Sequence, residues 1–114
     1  MKLSSKTFLL EDEIEWEDLG DGIRRQILGY DNKLMLVKVE FQTGAVGAGH
    51  AHVHSQSTYV VSGKFEFFVE GEKKIVKAGD GIYIAPDAFH GTTCLESGIL
   101  MDAFSPVRAD FLKE

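Results

Sequence analysis

Residues 44–56 read GAVGAGHAHVHSQ and contain three of the four histidines in the chain. In an extended chain, side chains two residues apart point to the same side, so the imidazoles of His50 and His52 can face a common point. Such a pair can chelate a metal ion, although the same spacing also occurs on surface strands with polar faces. Gln56 follows at a distance that allows a small bend and a return to the same side. We therefore expect a metal site in this stretch.

The remaining histidine, His90, follows the turn-rich segment GDGIYIAP at residues 79–86, which leads into another predicted strand. His54 lies in the predicted bend of the first segment, and we expect it to face solvent. The single cysteine, Cys94, excludes an internal disulfide and a zinc finger. A metal ion must therefore be bound by histidines, amides and carboxylates, and Cys94 is expected to be an inert core residue.

Short runs of β-branched and aromatic residues alternate with turn residues along the chain, which is typical of a β-sandwich or barrel. Strands are predicted at residues 23–30, 34–41, 57–61, 64–69, 73–77, 82–84, 91–94 and 99–104. Ser62-Gly63 and Glu70-Gly71-Glu72 are predicted as hairpin turns. A helical turn is expected within residues 10–19, and a short terminal helix at 107–114.

The chain has 114 residues and a mass of 12.6 kDa, so we expect one domain spanning residues 1–114. A net charge of -6 disfavours nucleic acid as a partner, because affinity for nucleic acid depends on basic residues.

No apolar run approaches the roughly 20 residues needed to cross a bilayer, and the first residues lack a signal-peptide core. We expect a cytoplasmic protein that binds neither nucleic acid nor a membrane.

The run from Ile99 to Phe104 is apolar except for Asp102. Leu100 and Phe104 flank Asp102 on its own face, and desolvation there would raise the pKa of the carboxyl group. Such an acid is often catalytic, although an aspartate on an edge strand could also reach water. Arg108 is the arginine best placed to bind a substrate carboxylate, with a surface position near the chain end as the alternative.

Two motifs give the chain its resemblance to the cupin superfamily. The first motif is Gly, five residues, His-x-His, three or four residues, Glu, six residues, Gly. Its places are taken by Gly44, His50, His52, Gln56 and Gly63. Glutamine thus replaces the usual glutamate, which leaves the charge of a bound dication uncompensated and favours an anionic substrate.

The second cupin motif is Gly, five residues, Pro-x-Gly, two residues, His, three residues, Asn. Gly79 and His90 match it, whereas Ala85, Asp87 and Cys94 stand where Pro, Gly and Asn are usual. Asp87 is a mild departure, because aspartate tolerates left-handed turn geometry. The resemblance implies an all-β fold, the cupin double-stranded β-helix or jelly-roll barrel, with the ligands pointing inward, and it implies a homodimer.

The stretches that carry a closer resemblance are WEDLGDGIRR at residues 16–25, the His-x-His-x-His-x-Gln segment, and DAFSPVRADFL at residues 102–112. With them the chain resembles one cupin family over residues 16–112, the pectin-degradation enzymes that ketonise unsaturated uronates. This resemblance implies conversion of 4,5-unsaturated monouronates, released by pectin or alginate lyases, into linear keto acids. By the same resemblance Asp102 is the acid/base residue, and Phe104 and Arg108 bind the small acidic sugar. The implied cofactor is a divalent transition metal, with zinc, nickel, iron and manganese left open. Its implied ligands are His50, His52, Gln56 and His90.

Two other functions remain open from the sequence. A cupin dioxygenase would use iron at the same ligands to cleave a small substrate with oxygen. A non-catalytic cupin would bind a sugar acid without converting it.

Overall fold

The computed structural model describes residues 3–112, in which β-strands dominate. The strands are β1 (Glu17–Gly20), β2 (Ile23–Tyr30), β3 (Met35–Phe41), β4 (Val46–His50), β5 (Ser55–Val69), β6 (Glu72–Lys77), β7 (Gly81–Ile84) and β8 (His90–Ser105). Short 3₁₀ turns occur at Glu11–Glu13 and Ala109–Phe111. Among the described residues, no helix has the length and apolar character needed to cross a membrane.

The two long strands β5 and β8 organise the barrel. They pair antiparallel along nearly their whole length, from Ser55 opposite Ser105 to Val69 opposite His90. The first half of β5 and the second half of β8 lie between β7 and β3. Their other halves lie between β6 and β4. All these pairings are antiparallel, and the all-β jelly-roll barrel predicted from the sequence is confirmed.

The prediction of a hairpin turn at Ser62-Gly63 is wrong, because β5 continues through it. In the same way, the predicted strands 91–94 and 99–104 are two parts of β8. The pairing of β5 with β8 shifts register between Val60 and Phe65, which is the mark of a β-bulge. The turn-like residues therefore bend one long strand where a hairpin was expected.

Gly63 makes this bend possible. Its φ angle is +85°, and a Cβ atom placed on it would lie 2.5 Å from the carbonyl oxygen of Glu96 and 2.6 Å from that of Ser97. A side chain would therefore suffer both an unfavourable backbone conformation and a collision with the facing strand. The bend requires glycine for both reasons.

The core lies between the two parts of the sheet. In β3, residues 35, 37, 39 and 41 are buried and alternate with partly exposed ones. Their partners in the core include Val60 and Phe65 of β5 and Leu100 and Phe104 of β8. Val37, Val39 and Leu100 also line an internal cavity, so the core forms part of the wall of the candidate site.

The segment before β1 packs against β2. The Nε2 atom of Gln26 donates hydrogen bonds to the carbonyl oxygens of Glu11 and Ile14, which holds the first 3₁₀ turn and confirms the helical turn expected within residues 10–19. The terminal helix expected at 107–114 is only the 3₁₀ turn Ala109–Phe111 in the described part, and residues 113–114 lie outside it.

Candidate active site

Three imidazoles converge at one end of the barrel, where His50 is exposed, His52 is partly buried and His90 is buried. Their ring centroids are 4.5 Å apart for His50 and His90, 5.0 Å for His52 and His90, and 5.3 Å for His50 and His52. One ring nitrogen from each lies within 4.8 Å of the others. Among the described residues, this is a histidine cluster that could hold a metal ion, as the spacing predicted.

Backbone contacts place the three rings. His50 is the last residue of β4 and is paired with His90, the first residue of β8. His52 lies in the loop after β4. The prediction that alternation along one strand would align His50 and His52 is therefore wrong, because the loop positions the His52 ring. The N–H of Asp87 donates a hydrogen bond of 2.7 Å to the carbonyl of His52, which ties this loop to the turn before His90. Asp87 has a φ angle of +66°, the left-handed geometry predicted for it.

Each of the three rings is oriented by a hydrogen bond from its Nδ1 atom to a backbone carbonyl two residues away. These bonds join His50 to Ala48, His52 to His54 and His90 to Ala88, at 2.9, 3.2 and 2.9 Å. Because a carbonyl oxygen only accepts, Nδ1 carries the proton and Nε2 presents a lone pair. Burial also lowers the pKa of His52 and of His90, which favours the neutral imidazole that a metal requires.

Gln56 completes the donor set. Its Nε2 atom donates to the hydroxyl of Thr58 at 3.0 Å and to the carboxylate of Asp102 at 3.4 Å. This fixes the amide so that Oε1 faces Nε2 of His52 at 3.0 Å. When His52 is neutral with its proton on Nδ1, both facing atoms carry lone pairs, and a cation bound by both would remove their repulsion. Three imidazoles and an amide oxygen fit a divalent transition metal.

Asp102 lies next to this donor set, in the part of β8 that pairs with β3 on one side and β5 on the other. The alternative of an edge-strand position is therefore wrong. Its Oδ1 atom accepts hydrogen bonds from the Thr58 hydroxyl at 2.6 Å and from Gln56. Burial raises the pKa of Asp102 to about 6, although these bonds and the charge of Arg108 oppose the shift. Asp102 can therefore exchange a proton close to neutral pH.

Arg108 is mostly enclosed, with a side chain 12% exposed, so the alternative of a surface position is wrong. Its Nε and Nη2 atoms donate to the carboxylate of Asp110 at 3.1 and 2.8 Å. Its Cζ atom lies 5.2 Å from the ring centroid of Phe104. Phe104 in turn packs edge-on against His52, with centroids 5.9 Å apart. Phe104 thus connects the histidine cluster to the arginine.

A cavity of about 200 Å³ joins these groups. Its wall includes His50, Gln56, His90, Asp102, Phe104 and Arg108. A larger and more open groove of about 510 Å³ lies beside Trp16, and the described residues that line it include no histidine. The smaller cavity combines the ligand donors with the acid of raised pKa, and it is the candidate active site.

Comparison with known proteins identifies the family of this chain. Residues 37–101 match the family model described as the cupin domain. The chain belongs to the cupin family. This cupin is 47% identical over 109 residues to the pectin degradation protein KdgF of Dickeya dadantii strain 3937, covering 94% of this chain and 99% of that protein.

Two solved structures of similar cupins cover nearly the whole chain. An RmlC-like cupin from Shewanella frigidimarina NCIMB 400 has a TM-score of 0.94 and 46% identity, covering 96% of this chain and 98% of that one. KdgF from Halomonas sp. has a TM-score of 0.90 and 40% identity, covering 95% of this chain and 100% of that one.

Sequence reasoning missed three contributors to the site of this cupin. Thr58 binds both Gln56 and Asp102, and its position two residues after Gln56 on the same strand face was the available signal. Arg25 lines the cavity, and its place between Ile23 and Ile27 on an inward face was the signal there. The carbonyl of His54 orients His52. We expected the His54 ring to face solvent, but it is partly buried, with its centroid 6.4 Å from that of Phe104.

Proposed function

We propose that this cupin converts 4,5-unsaturated monouronates, the products of pectin or alginate lyases, into linear keto acids, and so acts in the metabolism of pectin-derived uronates. The observation that carries the proposal is the contact of Asp102, an acid with a raised pKa, with Gln56 beside the histidine cluster. The substrate class is supported by the similarity to two proteins named KdgF over nearly their full lengths.

The proposal assigns the cofactor, a divalent transition metal such as zinc, nickel, iron or manganese, to His50, His52, Gln56 and His90. The oriented Nε2 atoms and the amide oxygen of Gln56 support this ligand set. When bound, such an ion supplies Lewis-acid stabilisation of negative charge on a substrate oxygen. Because all four donors are neutral, they leave the site attractive to an anion.

The reaction moves a proton from oxygen to carbon and involves no redox step. An unsaturated uronate has a double bond between C4 and C5, and C5 bears the ring oxygen and the carboxylate. Opening the ring frees an aldehyde, and the enol left at C5 becomes a ketone when C4 gains a proton. The substrate and product are therefore isomers, and an acid that exchanges protons near neutrality is the group that this change requires.

The proposal assigns a role to five residues in or beside the cavity. Asp102 transfers the proton, and Thr58 and Gln56 hold its carboxylate in place through their hydrogen bonds. Arg108 binds the substrate carboxylate through the N–H groups that remain when its Nε and Nη2 atoms donate to Asp110. Phe104 covers the site and keeps water away from the reacting atoms.

The proposal also includes one domain over residues 1–114, a homodimer and a cytoplasmic location. The dimer is supported by exposed apolar side chains on the outer face of β5 and β7, namely Tyr59, Val61 and Tyr83. The cytoplasmic location is supported by Cys94, a buried free thiol in a chain with no second cysteine.

The test uses purified protein and lyase-generated unsaturated galacturonate, followed by its ultraviolet absorbance. We expect the absorbance to disappear without oxygen uptake, and we expect a chelator to stop the reaction until metal is restored. Oxygen consumption during turnover would instead support the dioxygenase. A ligand that binds but returns unchanged in its nuclear magnetic resonance spectrum would support the non-catalytic binding protein.

A further inference from the structure

Two arginines contact the ring of Phe111 at the wall of the cavity. The Cζ atom of Arg25 lies 3.9 Å from the ring centroid, and that of Arg108 lies 4.2 Å from it. Both distances are within the range of a cation–π contact. Arg25, Arg108 and Phe111 all line the cavity.

Arg25 points into the barrel and its neighbour Arg24 points out. The side chain of Arg25 is 13% exposed and that of Arg24 is 46% exposed. Placing a charged residue on the inward face of β2 is costly unless the charge is paired. Glu17 supplies a partner, since its Oε1 atom accepts a hydrogen bond of 2.9 Å from Nε of Arg25.

The carboxylates that pair with the two arginines lie outside the cavity. Glu17 and Asp110 are absent from its lining residues, whereas Arg25 and Arg108 are among them. Among the residues that the structure describes, Asp102 is the one acid in that lining. A chain with a net charge of -6 thus presents two guanidinium groups at the wall of its candidate active site, each paired with a carboxylate that does not line the cavity. Guanidinium N–H groups are suited to bind an anionic carboxylate.

We propose that Arg25 is a substrate-recognition residue, which binds the anionic sugar together with Arg108 and gives the cavity part of its preference for an acid sugar over a neutral one. This inference rests on the proposed function, from which it takes the uronate as substrate. Glu17 holds the Nε side of the guanidinium and so orients its Nη groups. Those groups can donate to the substrate carboxylate in the fork geometry of arginine.

The test compares Arg25→Met with Arg24→Met, which removes the adjacent outward arginine. Calorimetry measures the affinity of the metal-loaded proteins for D-galacturonate, a saturated acid sugar, and for D-galactose, its neutral counterpart. Losing a hydrogen bond to a charged group weakens binding about 10-fold or more. We expect this loss for galacturonate in Arg25→Met, with galactose binding unchanged and with both affinities unchanged in Arg24→Met. With unsaturated galacturonate, KM should rise by a similar factor while kcat stays within about threefold.

An unchanged affinity for galacturonate in folded Arg25→Met would overturn the inference. An equal loss for both sugars, or a fall in kcat without a change in KM, would also overturn it, because it would indicate a structural role through Phe111. If thermal melting shows that Arg25→Met does not fold, Arg25→Lys retains the charge without the fork and should still weaken galacturonate binding. A wild-type protein that binds galacturonate but leaves the unsaturated sugar intact would contradict the proposed function alone.

Discussion

The Nε2 atom of His52 and the Oε1 atom of Gln56 face each other at 3.0 Å, and both present lone pairs when His52 is neutral with its proton on Nδ1. The amide cannot turn to offer its nitrogen without losing the hydrogen bonds to Thr58 and Asp102. Gln56 therefore contacts both a proposed metal ligand, His52, and the proposed acid, Asp102. A substitution of Gln56 should change both metal affinity and catalytic activity.

Gln56→Glu should retain metal more tightly than the wild type and reduce kcat/KM by at least about tenfold. A carboxylate adds negative charge to the ligand set, and it replaces the amide donor that lies 3.4 Å from Asp102 with an acceptor. Metal content after dialysis against a chelator and the rate of loss of unsaturated galacturonate test the two effects. A variant with wild-type activity would contradict the role given to the neutral amide.

Asp102→Asn should keep the fold and the metal but lose activity by about 10²- to 10⁴-fold, the range supplied by a positioned proton-transfer group. The amide has nearly the same shape as the carboxylic acid, and the hydroxyl of Thr58 can still donate to its oxygen. Activity should be compared at equal metal content with Asp12→Asn, which changes an exposed aspartate outside the cavity. Activity of Asp102→Asn equal to that of this control would remove Asp102 from the mechanism.

Cys94 should make stability fall as the pH rises above about 8.5, the usual pKa of a thiol. Burial raises the pKa of Cys94, and its Sγ–H donates to the carbonyl of Glu96 at 3.2 Å. Above the unfolded-state pKa, the unfolded chain loses this proton and the folded chain keeps it, so ionisation favours unfolding. Urea unfolding from about pH 7 to 10 should show a steeper decline in the wild type than in Cys94→Ala. Identical slopes would contradict the prediction.

Gly63→Ala should lower the free energy of unfolding by about 2–4 kcal/mol, the sum of a positive-φ cost and a steric collision. Gly71→Ala is the matched control, because Gly71 has a φ angle of +84° but its added Cβ atom would meet none of the described residues within 4 Å. It should cost about 1 kcal/mol. Equal losses in the two variants, measured by urea unfolding, would mean that contact with Glu96 and Ser97 adds nothing.

Tyr83→Glu should convert the proposed dimer to a monomer. The change puts a charge among the exposed apolar side chains of β5 and β7, where it would be desolvated in an interface. Light scattering after size-exclusion chromatography measures the mass. Phe8→Glu, at an exposed position outside the named strands, serves as the control. A wild-type mass of one chain, or a Tyr83→Glu mass of two, would contradict the proposed interface.

The sequence allowed the histidine cluster to be predicted because its spacing is local. His50, His52 and Gln56 lie within seven residues, so any short loop between β4 and β5 keeps them close, although a loop and not strand alternation positions His52. His90 joins them because β8 begins opposite the end of β4. The residues around Gly63 did not allow the bend to be predicted, because glycine occurs both in hairpin turns and in β-bulges. The pairing with β8 determines that a bulge forms here. The role of Arg25 could not be predicted either, because its burial depends on Glu17 and Phe111, which come from other parts of the chain.

The uninterrupted strand β8 limits where insertions and deletions can occur among relatives without disturbing this site. His90 begins that strand, and Asp102 lies near its far end, so one continuous backbone spans both the metal-ligand region and the acid. Insertions in the surface connections would leave their separation unchanged. A single residue gained or lost near Gly98 would displace one against the other and reverse the inward and outward faces beyond it. Diversification of specificity is therefore expected in the segments around β8, with the length of that strand held constant.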